Sequence, residues 1–257
     1  MANHQPNISL ILPAYNEART ICSTLTQVTS YFRGRGLTHQ IIVSADGDDG
    51  TRELAGAFGR ENGSVEVIGE PVRRGKGRGI RDAVRIATGE IVGFADADNK
   101  VPIEEFERVE PWLKGNEDYD IVIGSRGLKE SRIERKQRWY RTYGSKAFYY
   151  FMHAVVGMPG IEDTQCGFKF FRGQVAKDLF SRQRIDGYMF DVEVLALAQR
   201  LGYRMKEVPI RWRDDGDTRL QLVAGNIRNV LDIFKIRRAC SRVERVESRA
   251  RARAMSS

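Results

Sequence analysis

The sequence predicts an α/β fold in which a mostly parallel mixed sheet is flanked by helices, and three observations predict it. Short β-type runs alternate with helical patterns through the first half of the chain, polar clusters recur directly after successive runs, and 257 residues are enough for one core domain with a substantial interior. Strands that alternate with helices are joined by right-handed crossovers and covered on both faces.

The elements follow in order. "ISLILPA" precedes a helical stretch from Ala18 to Phe32, "HQIIVSA" one from Thr51 to Gly59, and "VEVIG" one from Gly79 to Ala87. "EIVGFA" and "YDIVIGSR" supply two further strands. Past Ser125 the pattern changes: residues 128–157 are basic and aromatic, "FKFFRG" and "YRMKEVPIRW" read as strands, and "FDVEVLALAQRLG" between them reads as a helix ending at Gly202. A last helical segment spans residues 221–238. Residues 239–257 contain too few large apolar side chains to pack, so they read as a frayed basic helix or a disordered basic tail appended to a single domain over 1–238.

Composition narrows the partners. A net charge of +8 favours an anionic one, and nucleic acid, phospholipid and nucleotide all qualify. Cys22, Cys166 and Cys240 are too few and too scattered for a disulfide framework or a structural zinc site, which fits a reducing cytoplasm. "MANHQPN" lacks the layout of a signal peptide, and no stretch approaches the roughly 20 apolar residues that span a bilayer. Membrane contact is therefore expected to be peripheral, unless a separate subunit supplies the anchor.

Ligands of open parallel α/β sheets bind outside the carboxyl ends of the strands. "PAYNE" (Pro13 to Glu17), "DGDDGT" (Asp46 to Thr51), "EPVRRGKG" (Glu70 to Gly77) and "DAD" (Asp96 to Asp98) follow the first four strands in turn, so one rim collects carboxylates, lysine, arginine and glycine. Side chains two apart in extended chain point the same way, so Asp96 and Asp98 can share a site, and hard oxygen ligands suit Mg²⁺ or Mn²⁺. Small Ala97 between them lets a ligand approach the backbone. The structural alternative is that Asp98 or Asn99 caps a helix starting near Pro102. "RRGKGRG" is no P-loop, because Lys76 is followed by glycine and no glycine stands at the required spacing before Gly75; Lys76 with Arg73 and Arg74 forms either a phosphate-facing cluster or a solvated loop.

"LILPAYNE", "DGDDGT", "RRGKGRGIRDAVRIATGEIVGFADAD", "VIGSR", "DTQCGFKFF", "FDVEVLALA" and "EVPIRW" occur in the order seen in family-two glycosyltransferases of the GT-A fold. The chain most resembles the dolichyl-phosphate or polyprenyl-phosphate glucosyl- and mannosyltransferases, from residue 8 to about 238. The resemblance implies a donor-binding half over about 8–125 and an acceptor- and membrane-facing half over about 126–238. It implies that Pro13, Tyr15, Glu17 and Asp46 hold the nucleoside, that Asp96, Ala97 and Asp98 meet ribose, metal and diphosphate, and that Lys76 and Arg219 sit near the donor phosphates. Arg126, Arg141 and Ser145 match the residues that hold the acceptor lipid phosphate in that family. The implied partners are UDP-glucose or GDP-mannose, a polyprenyl or dolichyl phosphate and the cytoplasmic face of a membrane. Asn99 and Lys100 stand where mannosyltransferases of this type often carry a glutamine.

A lipid monophosphate, with a second pKa of roughly 6, attacks the anomeric carbon without a general base, so the protein has to supply alignment and charge neutralisation, and in-line attack inverts the donor linkage. A hydroxyl acceptor would need a base, for which Asp191 and Glu193 are the candidates; the plainer account of both is that acids suit the first turn of a helix. The segment from Arg132 to Met158, with Trp139, Tyr140, Tyr143, Phe148, Tyr149, Tyr150 and Phe151 among basic residues, suits a membrane interface or an amphipathic helix packed on the protein itself. Read as a nucleic-acid-binding module, the same segment would leave the acidic rim unexplained, so no nucleic-acid partner is expected.

Overall fold

A computed structural model describes residues 5–115, 119–133, 150–213 and 224–254, the backbone only for 224–227 and 244–254. In chain order these residues form β1 (Ile8–Tyr15), α1 (Ile21–Gly34), β2 (His39–Asp46), α2 (Thr51–Asn62), β3 (Val65–Ile68), α3 (Lys76–Ile86) and β4 (Ile91–Ala95). A 3-10 turn (Ile103–Arg108) and the short α4 (Glu110–Lys114) lead to β5 (Ile121–Ser125) and β6 (Arg132–Ile133). After helical residues 150–156 come β7 (Phe168–Arg172), α5 (Gly173–Arg182), α6 (Phe190–Arg200), β8 (Met205–Pro209), β9 (Arg211–Trp212) and α7 (Ala224–Ala254).

Seven strands form one sheet in the order β3-β2-β1-β4-β7-β5-β8, and β6 pairs with β9 apart from it. Only β7 runs antiparallel to its neighbours, β4 and β5, so the sheet is mostly parallel and mixed, as expected. Side chains alternate between faces as the period of two requires. On β1, Leu10 and Leu12 pack towards α1 and the 3-10 turn, with Leu25, Phe32 and Phe106, while Ile11 packs towards α3, α5 and α6, with Ile80, Leu179 and Leu195.

Two boundaries differ from the sequence reading for physical reasons. Helix α3 begins at Lys76 rather than Gly79. Glycine is a poor helix former, yet this first turn needs it, because it presses against neighbouring backbone: a Cβ on Gly77 would stand 2.4 Å from the Ile185 carbonyl oxygen. Gly75, at φ 112, makes the turn that feeds it. Helix α7 runs unbroken to Ala254, so residues 239–254 take the helical alternative rather than forming a disordered tail. Alanine, arginine and glutamate are strong helix formers, and the segment holds no glycine or proline to stop them.

The three cysteines are free thiols, with Cys22 exposed and Cys166 and Cys240 buried. Burial, reinforced by the Asp163 charge, pushes the Cys166 thiol up to about 12. Ellman's reagent at pH 8 is therefore expected to titrate one thiol per folded chain rapidly. Cys22→Ser should abolish that phase, and the other two should react only on denaturation; rapid reaction of a buried thiol would contradict the packing.

Candidate active site

Parallel pairing brings the carboxyl ends of β1, β2 and β4 to one edge, with Tyr15 opposite Asp46 in register. Antiparallel β7 adds its amino-terminal end to the same edge, so Gly167 lies directly against the residues that follow β4. The Asp96 N–H donates to the Gly167 carbonyl at 3.1 Å. A Cβ on Gly167 would stand 2.1 Å from Asp96 Oδ2, so the carboxylate occupies space that any other residue would fill.

Asp96 and Asp98 come together, though not on extended chain. The Asn99 N–H donates to the Asp96 carbonyl at 3.1 Å and Asn99 adopts φ 54, so the two aspartates sit in a tight turn. Nor do Asp98 and Asn99 cap the following helix, whose N-cap is Pro102. Burial and the neighbouring Asp96 charge both push the Asp98 carboxyl up, and Lys100, 3.0 Å from Asp98 Oδ2, offsets this in part. Asp96 Oδ1 accepts from Lys76 Nζ at 2.5 Å. Ala97 turns inward at 2% exposure and its carbonyl accepts from Thr24 Oγ1 at 2.9 Å, so its small side chain serves packing against α1.

Two like-charged carboxylates in one turn, one of them seated in the space that Gly167 leaves, fit a hard divalent cation. Among the described residues no third His, Cys, Asp or Glu completes a larger ligand group. The remaining coordination positions would then fall to water and donor phosphates, as is usual for such ions.

The other expected donor residues line the same edge. Tyr15 is exposed, with the Arg73 guanidinium 4.2 Å from its ring centroid, and Arg73 Nη2 donates to the Tyr188 hydroxyl at 2.7 Å. Asp46 accepts backbone N–H bonds from Arg74 at 2.7 Å and Glu70 at 3.3 Å, which fixes the loop carrying both arginines. Glu17 Oε2 accepts from Thr20 Oγ1 at 3.0 Å, and half-buried Pro13 lies opposite Ser44.

On the acceptor side, Arg126 forms a two-pronged pair with Asp163, Nε to Oδ2 at 2.7 Å and Nη2 to Oδ1 at 2.9 Å. Burial alone would lower the guanidinium and raise the carboxyl, but the pairing prevails and both stay charged. Asp96 also acts electrostatically on Arg126, so the two halves of the edge lie within reach of one another. Arg141, Ser145 and Arg219 lie outside the described residues, as do residues 139–149 of the basic aromatic segment.

Of the two base candidates, Glu193 serves the fold: it is buried and accepts the backbone N–H groups of Arg184 (3.0 Å) and Ile185 (2.8 Å). Asp191 is 5% exposed and ion-paired to Lys169 at 2.6 Å. Sequence reasoning did not single out Asp163, Gly167 or Lys169 for the site. All three stand in "DTQCGFKFF", where the alternation of charge, glycine and aromatic residues was the available signal.

The profile of glycosyl transferase family 2 matches residues 9–180. The chain belongs to glycosyl transferase family 2. It is 31% identical over 241 residues to a dolichyl-phosphate beta-glucosyltransferase of Trichomonas vaginalis, covering 89% of this chain and 72% of that protein. A dolichyl-phosphate beta-glucosyltransferase of Drosophila melanogaster is likewise 31% identical, covering 89% and 74%. Among solved structures, mannosyl-3-phosphoglycerate synthase of Rubrobacter xylanophilus superposes with a TM-score of 0.66 at 19% identity, covering 95% of this chain and 75% of that one. Glucosyl-3-phosphoglycerate synthase of Mycobacterium tuberculosis, in complex with Mn²⁺, UDP and glucosyl-3-phosphoglycerate, gives 0.65 at 23% identity, covering 90% and 80%. This family 2 member is a glycosyltransferase with the GT-A fold.

Gly167→Ala is expected to displace the Asp96 carboxylate while leaving the core intact. Glycosyl transfer should fall by about tenfold or more with little change in melting temperature. Unaltered turnover would show that the Gly167 contact does not position Asp96.

Proposed function

We propose that this glycosyltransferase carries glucose from UDP-glucose to a dolichyl or polyprenyl phosphate, inverting the donor linkage to give a β-linked lipid-phosphate sugar at the cytoplasmic face of a membrane. The relatives named for that reaction support the glucose and the lipid phosphate, and the synthase bound to UDP and Mn²⁺ supports the nucleotide and a divalent ion.

One observation favours a phosphate over a hydroxyl acceptor. Asp191, the carboxylate expected to act as base for a hydroxyl, is buried against Lys169, while Asp163 is committed to Arg126. A phosphate dianion needs no base, because its oxygen is already deprotonated at neutral pH. What it does need is a cation to hold it against the negative donor. Arg126 meets that need: its side chain is 31% exposed, and it lies within electrostatic reach of the Asp96 edge.

Asp96 and Asp98 would hold the divalent ion, which when bound offsets charge on the donor diphosphate. Lys76, at the first turn of α3, adds a fixed positive charge beside Asp96. Arg126 would meet the acceptor phosphate with Nη1 and the outer Nη2 hydrogen, because Asp163 holds its Nε and the inner Nη2 hydrogen. The attacking oxygen and the departing diphosphate are thus each met by a cation fixed on a rigid element.

Membrane contact would come from exposed Tyr150, Phe151, Leu231 and Phe234, the last packing on Phe151 at 6.4 Å between ring centroids. Arg228, Arg237, Arg238 and Arg242 flank these residues on α7 and suit an anionic lipid surface. Among the described residues no helix is long and apolar enough to cross a membrane.

The purified protein should convert UDP-glucose and a short polyprenyl phosphate to a glucosyl lipid identified by mass. GDP-mannose should serve poorly, a chelator should stop turnover, and Mn²⁺ or Mg²⁺ should restore it. Asp96→Ala and Asp98→Ala should each lower kcat/KM by about hundredfold. No glycolipid from any donor would refute the acceptor assignment, and undiminished activity of both variants would refute the metal site.

A further inference from the structure

Strand β7 runs through the middle of the sheet, and its register sets Lys169 opposite Phe94 on β4 and Ile123 on β5. Phe168, Phe170 and Phe171 around it are buried aromatics, yet Lys169 is 1% exposed. Its ammonium donates to Asp191 Oδ1 at 2.6 Å and to the Cys166 carbonyl at 2.5 Å, and lies 5.4 Å from the Phe94 ring centroid. Moving an ammonium and a carboxylate out of water is costly for each ion, and an apolar pair of similar volume often folds as well or better. Folding alone gives no reason for these charges.

The active edge does give one. Four groups alternate in sign from the core outward: Lys169, Asp191, Lys76 and Asp96. The outer pair is bonded at 2.5 Å and the inner at 2.6 Å. Between the pairs the first turns of α3 and α6 meet: a Cβ on Gly77 would stand 2.5 Å from the Phe190 Cβ, so Lys76 and Asp191, each the neighbour of one of these residues, lie on facing turns, and Asp96 and Asp191 both act on the Lys76 ammonium against the effect of burial. Burial raises the Asp191 carboxyl on balance, and Lys169 and Lys76 offset this in part.

With Asp96 as its sole partner, Lys76 would be neutralised by that carboxylate and would compete with a divalent ion for it. A second carboxylate behind Lys76 shares the attraction. Lys169 in turn cancels the charge of that second carboxylate, so no net repulsion is added towards a diphosphate.

We propose that Lys169 is a positioning residue for the donor diphosphate: it anchors Asp191, and Asp191 holds the Lys76 ammonium where it can face the leaving group. This rests on the donor half of the proposed reaction and is independent of the acceptor.

The test uses Lys169→Met/Asp191→Leu, which removes both charges, and Asp191→Asn, which keeps an acceptor for Lys169 but loses the charge that acts on Lys76. Calorimetric titration with UDP or GDP, whichever the wild-type chain binds, in the presence of Mn²⁺ is compared with melting temperature and kcat. Both variants should melt within about 5 °C of wild type. Both should bind the nucleotide about tenfold more weakly, with kcat about hundredfold lower. Nucleotide affinity within a factor of about two of wild type in either folded variant would overturn the proposal. So would unfolding of both, which would make the pair structural. Loss of transfer by Asp191→Asn with nucleotide affinity intact would make Asp191 a base instead. If the wild-type chain binds the nucleotide but glucosylates no polyprenyl phosphate, the acceptor assignment fails while nucleotide affinity still decides the role of Lys169.

Discussion

Two carboxylates in one turn at the edge of a sheet repel each other, and the surrounding structure is arranged around that repulsion. Asp96 and Asp98 gain from any cation that approaches, and Lys76 and Lys100 each pair with one of them. Charged groups held in place on rigid elements need no reorganisation when new charge appears beside them, which is the general basis of electrostatic catalysis. In the function proposed, the same arrangement that makes the edge costly in isolation lets it receive a nucleoside diphosphate together with its metal.

The fold supplies this arrangement through β7. Had all seven strands been parallel, the residues before β7 would lie at the far end of the sheet. Reversed, the strand brings Asp163, Cys166 and Gly167 to the edge where β4 and β5 end, and sends Lys169 into the core beneath it. One short segment thereby contacts both halves of the site: Gly167 against Asp96, Asp163 against Arg126, and Lys169 against Asp191. In a segment that serves this many contacts, small changes of geometry reach both parts of the candidate site together.

Much of this was legible in the sequence. The alternation of apolar runs with helical periodicity gave the strand–helix order of the first half, and the clusters after "LILPA", "IIVSA", "VEVIG" and "VGFA" pointed to the one edge where the structure gathers them, the edge at which ligands of such sheets bind. Less legible was what depends on pairing between distant segments. Nothing local to "FKFFR" says that it runs antiparallel between β4 and β5, so the partners of Lys169 and Asp163 could not be read from spacing. The aspartate pair was expected on extended chain and lies in a turn, since the left-handed Asn99 is a single-residue choice that periodicity does not report. Helix α3 starts at Lys76 rather than Gly79 because its first turn packs against distant backbone at Ile185, a contact that local periodicity does not report.

The central claim is that Asp96 and Asp98 share a divalent ion which meets the donor diphosphate. A crystal of this protein soaked with UDP and Mn²⁺, with data collected at the manganese absorption edge, tests it most directly. An anomalous peak bound by both carboxylates and by UDP phosphate oxygens, with Lys76 beside them, is the result predicted. UDP bound at the edge with no manganese on either aspartate, or bound elsewhere, would contradict it.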